Sequence, residues 1–211
     1  MQEGFAMSLY QYPLNLRFKL LALAPRIIVT DANGTEQLFV NQKIFNLKED
    51  VRIYNNSNKE RELYRIRADR IIDFSANYKF FDASGTNQIG SIKRKGMRSL
   101  WRTTYFMDNA SGQTTHHLKE DNPWVKILDA VVEQVPFLNL FTGYFLNPTY
   151  TAYRGNNRED EGQPVMKLIK KPSFFEAGYE LQLVNPQVSQ EEELQVLLGI
   201  MMMVQLERRR G

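Results

Sequence analysis

Residues 189–211, SQEEELQVLLGIMMMVQLERRRG, read as one helix that is apolar on nearly every side. Ser189 followed by Glu192 is a capping-box pattern, and Glu191, Glu192 and Glu193 stand where a helix N-terminus favours acids. Arg208, Arg209 and Arg210 stand at the end that favours cations. Between them Leu194, Val196, Leu197, Leu198, Ile200, Met201, Met202, Met203, Val204 and Leu206 leave no broad polar face. Only Gln195, Gly199 and Gln205 interrupt, in a narrow stripe. Such a helix must be wrapped by protein or by lipid. The apolar run 194–206 is about 20 Å long at ~1.5 Å per residue, against ~30 Å for a bilayer core. That length favours burial inside the protein, so the rest of the chain is expected to build the wrapper.

With 211 residues the chain is long enough for one large β domain with a sizeable core. The absence of cysteine excludes disulfides, thiolate metal sites, cysteine nucleophiles and S-acylation, and fits a reducing, cytoplasmic compartment. A net charge of +3 permits attraction to acidic surfaces and does not call for nucleic acid. No secretory leader is expected. The segment 14–23 is interrupted by Asn15, Arg17 and Lys19, and Leu14, Leu16, Phe18 and Leu20 fall on one face of a first strand.

From there to Leu118 the chain reads as short strands broken by turn chemistry. Strands are expected at 26–30, 36–40, 51–54, 62–66, 78–81, 88–93, 102–107 and 113–118. The intervening turns are Asp31-Ala32-Asn33-Gly34, Asn55-Asn56-Ser57-Asn58, Asp82-Ala83-Ser84-Gly85 and Asp108-Asn109-Ala110-Ser111-Gly112. Asp supplies a side-chain acceptor at the start of each turn, and Gly supplies the left-handed position that closes a hairpin. The strings at Asp31 and Asp82 nearly match, 51 residues apart (82 − 31). Duplication and independent selection by turn geometry both account for that match.

At Asn122-Pro123-Trp124 the pattern changes. Asn122 suits an N-cap and Pro123 the first helical position, so an amphipathic helix is expected over about 122–135. Trp124, Ile127, Leu128, Val131, Val132 and Val135 form its apolar face, and Pro136 ends it. The aromatic stretch 137–146 follows, then strands at 150–153, 165–169 and 179–184. The expected architecture is mainly β. A single domain over 1–211 carries about twelve antiparallel strands around the buried C-terminal helix, plus the inserted helix.

This chain resembles the Tubby C-terminal-like superfamily, in particular its LURP-one-related and phospholipid-scramblase-like branch. The resemblance rests on Ile28-Val29-Thr30-Asp31-Ala32-Asn33-Gly34, Phe45-Asn46-Leu47-Lys48, Tyr64-Arg65-Ile66, Ile89-Gly90-Ser91-Ile92-Lys93-Arg94-Lys95 and the final helix. It covers most of residues 26–211 and implies a closed twelve-stranded barrel around a hydrophobic helix. The acidic calcium-loop sequence and the acylated cysteines of scramblases are missing, and no residue-by-residue match to the phosphoinositide site of Tubby proteins appears.

The densest basic run lies at 93–102. Lys93, Arg94, Lys95, Arg98 and Arg102 place five cations beside Trp101 in ten residues. Lys and Arg supply charge and donors for phosphate, and Trp suits a membrane interface, so these six are the candidate lipid-binding residues. The competing reading is a solvated hairpin whose cations pair with Glu60 or Glu62. Lys167, Lys170 and Lys171 alternate in facing and make no single patch. The 137–146 stretch suits core packing better than a bilayer contact.

His116 and His117 are adjacent, and on a strand their side chains face opposite ways, so no metal site is expected. Thr35 and Gln42 stand where a calcium loop at Asp31 would need acids. No nucleophile elbow, phosphate-binding Gly loop or dinucleotide fingerprint appears, so no catalytic residues and no cofactor are expected. The expected function is a non-enzymatic, cytoplasmic barrel that binds anionic phospholipid or acts peripherally at a membrane surface. The alternative is a scaffold that docks a protein partner without binding lipid.

Overall fold

A computed structural model describes residues 7–18, 26–43, 50–70, 76–94, 104–121, 149–156, 162–171 and 178–208. Twelve strands run in chain order as β1 (Leu14–Phe18), β2 (Arg26–Thr30), β3 (Glu36–Lys43), β4 (Asp50–Tyr54), β5 (Glu62–Ala68) and β6 (Asn77–Asp82). They continue as β7 (Gln88–Arg94), β8 (Thr104–Asn109), β9 (Thr114–Asp121), β10 (Thr149–Arg154), β11 (Pro164–Lys171) and β12 (Gly178–Leu183). One helix, α1 (Gln190–Arg208), follows.

Each strand pairs antiparallel with its neighbour in the chain, and β1 pairs with β12 to close the ring. Leu16 is the seam residue, opposite Val29 of β2 on one side and Tyr179 of β12 on the other. Closure leaves no strand edge unpaired, which removes the usual route to edge-on aggregation. Period-two alternation points Leu14, Leu16 and Phe18, then Ile27 and Val29, then Val51 and Ile53 into the lumen, all fully buried.

The helix fills that lumen. Every residue from Gln195 to Gln205 is buried, so the apolar run meets protein on all sides. Among the described residues no helix is long and apolar enough to cross a membrane. The narrow stripe in the helix has a packing cause. A Cβ on Gly199 would lie 2.6 Å from Sδ of Met107 on β8, so the missing side chain makes room for that sulfur. Gly90 on β7 does the same for Gln195, whose Cγ would lie 3.2 Å from a Cβ there.

One rim of the barrel is built from tight hairpins. Gly34, Gly85 and Gly112 all have positive φ, and each donates its N–H to the carbonyl three residues back, on Asp31, Asp82 and Asn109. The third turn therefore starts at Asn109, one residue later than the Asp108 read from the sequence. Asn109 follows Asp82 by 27 residues (109 − 82), so the recurrence of this turn keeps no fixed period. Five hairpins at this rim also carry a register shift in their ladders: at Val29/Thr30, Ile53/Tyr54, Phe80/Phe81, Met107/Asp108 and Ala152/Tyr153. Such shifts bend and twist strands, which helps a sheet curl closed.

The strand expected at 14–23 is described only as far as Phe18. The expected inserted helix at 122–135 and the aromatic stretch 137–146 lie outside the described residues.

Candidate functional site

The outer face of β4, β5 and β6 is basic because alternation sends Val51, Ile53 and Ile66 inward and Arg52, Arg65, Arg67 and Lys79 outward. Register sets Arg52 directly opposite Arg65, and Arg67 directly opposite Lys79. Like charges placed so repel and weaken a sheet. Glu62 relieves the first pair, accepting from Arg52 Nη1 at 3.2 Å and from Nε of Arg65. Asp50 adds a longer contact of 3.5 Å to Arg52. The second pair has less relief: among the described residues no carboxylate forms an ion pair with Arg67 or Lys79, and Lys79 meets the charge of Asp69 only at longer range. Arg67 lies instead over the ring of Phe81, 5.4 Å from its centre.

Arg65 and Arg67 converge at their tips. A Cβ on Gly85, in the β6–β7 turn, would lie 2.8 Å from Arg67 Nη2 and 3.4 Å from Arg65 Nη1. The turn's own acid is already occupied. Asp82 accepts from Ser84 Oγ at 2.6 Å, from Asn87 Nδ2 at 2.6 Å and from the Gly85 N–H at 3.0 Å. The Ser84 bond foremost, joined by the Asn87 and Gly85 bonds, outweighs the opposing effect of desolvation and holds its carboxyl down at about 2. Two convergent guanidinia beside a turn without a side chain present N–H donors suited to a tetrahedral oxyanion.

Of the six residues named from the sequence, Lys93 and Arg94 are described, and Lys95, Arg98, Trp101 and Arg102 lie outside the described residues. Lys93 Nζ is 2.7 Å from Oδ2 of Asp108, a buried carboxylate that also accepts from Thr114 Oγ1 at 2.6 Å. For Lys93 the partner is thus neither Glu60 nor Glu62. Glu60 accepts from Asn56, Glu62 serves the arginines, and Asp108, reached through the β7–β8 ladder, serves Lys93. Lys93 stands opposite Asn77, two positions along β6 from Lys79, so Lys79 and Lys93 are diagonal neighbours. Arg94 ends β7 opposite Tyr105, whose hydroxyl meets Glu207 of α1 at 2.5 Å. A basic diagonal therefore runs from Gly85 at one rim, through Arg65, Arg67, Lys79 and Lys93, toward the other.

A second polar assembly lies at the hairpin rim, in a cleft of about 710 Å³ beside the first turns of α1. Ser189 caps the helix, its Oγ accepting the Glu192 N–H at 3.2 Å. The reciprocal half of the expected capping box does not form, because the Glu192 side chain turns to the barrel wall. Its Oε1 lies 2.8 Å from His116 Nε2 and 2.6 Å from Arg154 Nε, and its Oε2 accepts from Arg154 Nη2 at 2.8 Å. Burial pushes this carboxyl up, but bonds from His116 and Arg154 outweigh it and hold it down at about 2. Gln195 donates to Thr115 Oγ1 at 3.2 Å, and the same oxygen lies 2.9 Å from His116 Nδ1. The Glu192 carboxylate only accepts, so His116 presents Nε2–H to it.

His117 faces the other way, stacked on Tyr153 with ring centres 5.4 Å apart. Among the described residues no group of His, Asp and Glu could hold a metal ion.

The sequence did not reveal Arg65, Arg67, Lys79 or the Glu192 cluster. Alternation marks the arginines as outward, whereas their convergence depends on side-chain reach. His116 and Glu192 are 76 residues apart and meet only through barrel closure around the helix.

The sequence model of the LURP-one-related family matches residues 36–130, a span from β3 through β9 that contains the whole basic diagonal. No curated protein and no solved structure matches the chain. The resemblance read from the sequence is thus supported: residues 36–130 match the LURP-one-related family, which belongs to the Tubby-like superfamily.

Proposed function

We propose that this barrel is a non-enzymatic module that binds the anionic headgroups of phospholipids at a membrane surface. The observation that carries this reading is the convergence of Arg65 and Arg67 over Gly85. Lys79 and Lys93 extend the same face, and the basic run 93–102 continues from it in sequence. Lys93 is held by Asp108, so it contributes less to headgroup binding than the two arginines. Guanidinium suits this role because it stays charged and offers planar, paired donors to phosphate oxygens. Among the described residues no catalytic constellation competes with this reading.

Co-sedimentation with vesicles tests it. The chain is expected to pellet with phosphatidylcholine vesicles containing phosphatidylserine or a phosphoinositide, and to stay in solution with phosphatidylcholine alone. Replacing Arg65 and Arg67 together with Ala should weaken binding by about 1 kcal/mol per charge near an anionic surface. K93A/R94A/K95A should act in the same direction, with Lys93 giving the smallest share. Equal pelleting with both vesicle types, or none with either, rules the proposal out and returns the chain to a protein-docking scaffold.

A further inference from the structure

Residues 7–13 cross the hairpin rim before the chain enters β1, and they form no ladder with any strand. Tyr10 and Tyr12 pack against the core, while the hydrogen bonds of the segment are concentrated on one side chain. Glu193, in the first turn of α1, is fully buried. Its Oε1 accepts from Ser8 Oγ at 2.9 Å and from Tyr12 Oη at 3.0 Å, and its Oε2 accepts from the Leu9 N–H at 2.8 Å. Gln190 adds one bond, from Nε2 to the Met7 carbonyl at 2.9 Å. Farther along, Tyr10 lies beside Tyr64 of β5, and Gln11 accepts from Asn33 in the β2–β3 turn at 3.4 Å.

We infer that residues 7–13 are a releasable strap over the rim, latched by Glu193, with Ser8 as the point where added negative charge opens it. Two features of the contacts support release as a unit. The strap can leave without breaking a barrel ladder, because it belongs to none. Three of its donors share a single acceptor, so loss of that acceptor undoes them together. Such a segment opens locally at a free energy below that of global unfolding.

Ser8 carries the exposed hydroxyl of the latch. Its oxygen is 2.9 Å from the Glu193 carboxylate. An anion at that position exchanges a donated hydrogen bond for repulsion between like charges. Release uncovers the first turn of α1 and the Tyr64 hydroxyl, next in the chain to Arg65. The strap therefore governs the rim beside the proposed headgroup surface without forming part of it.

Amide hydrogen exchange on the full chain tests this. In Ser8→Glu, the Leu9 N–H is expected to exchange at least tenfold faster than in the wild type, while amides of β1 and β8 keep their rates. Glu193→Gln should shift Leu9 in the same direction, by a smaller factor, because the amide oxygen remains an acceptor. Ser8→Glu alters only an exposed strap residue, so it remains informative even if Glu193→Gln folds poorly. Unchanged Leu9 exchange in Ser8→Glu overturns the inference. So does parallel acceleration of Leu9 and the strand amides, since that makes the strap inseparable from the barrel. Vesicle binding is a separate readout, and its loss or survival leaves this outcome unaffected.

Discussion

The sulfur of Met107 on β8 occupies the space beside Gly199 of α1, only 2.6 Å from where a Cβ on that glycine would stand. Helix and wall meet there through the flexible end of one side chain. At Gly90 the obstruction is different, because a Cβ there would lie 2.7 Å from the backbone carbonyl oxygen of Asp108. Gly199→Ala is expected to cost about 1 kcal/mol, overpacking of ~1–3 kcal/mol being offset by ~1 kcal/mol of helix propensity. Gly90→Ala should cost more, about 2–3 kcal/mol, since a strand carbonyl cannot swing aside. In a Met107→Ala background Gly199→Ala should become neutral or stabilising. Urea denaturation of the four variants and the wild type measures this, and equal costs at the two glycines would refute the distinction.

Glu192 predicts an acid limb of stability. Its carboxyl is held at about 2 in the fold, below the ordinary 4.5. A carboxyl depressed on folding contributes stability above its unfolded value, and the contribution fades as pH falls through the folded one. Stability should therefore drop between about pH 4.5 and 2. In Glu192→Gln that part of the drop should disappear, and the variant should lose about 2 kcal/mol at neutral pH through weakened bonds to His116 and Arg154. Denaturation midpoints at pH 7, 4 and 3 for both proteins check the sign.

Binding to anionic vesicles should depend on salt. Raising ionic strength from ~0.1 M to ~1 M shortens the screening length from about 10 Å to about 3 Å. Most of the wild-type binding should be lost over that range, and Arg67→Ala should show a shallower dependence. A salt-insensitive interaction would point to apolar contact and away from the basic diagonal.

At the far end of α1, Tyr105 is buried and donates to Glu207 at 2.5 Å. Tyr105→Phe removes that donor and is expected to cost about 1–2 kcal/mol. Exchange rates in the last turn of α1 should rise with little change at Glu192. If the N-terminal turn loosens equally, the helix ends are not anchored independently.

The parts legible in the sequence were those governed by neighbours along the chain. Alternation at Leu14, Leu16 and Phe18 locates a strand because burial on one face of a sheet imposes period two. The turns at Asp31 and Asp82 are legible because their chemistry is complete within five or six residues. Ser189 as the helix cap is legible for the same reason. Glu192 shows the limit. Its spacing fits a capping box, yet Arg154 and His116 offer charged and aromatic donors across the lumen and outcompete the local N–H. Arg65 and Arg67 show another limit, since their meeting point is set by a glycine 18 residues beyond Arg67. The run 93–102 drew attention through density alone, whereas partner geometry decides that Lys93 is bound to Asp108.

The β1–β12 seam joins residues 14–18 to residues 178–183, and α1 follows them both. During synthesis, then, eleven strands emerge before the one that shuts the ring, and the helix that fills the ring emerges after that. Until both arrive, the inward side chains of the early hairpins have no core to meet and β1 has one unpaired side. Such long-range closure slows folding and exposes the nascent sheet to wrong partners. A chain interrupted before residue 190 would hold every wall of the barrel and nothing to stand at its centre. The folding of this barrel is thus decided by its last two elements, and its vulnerable interval spans the emergence of nearly all the others.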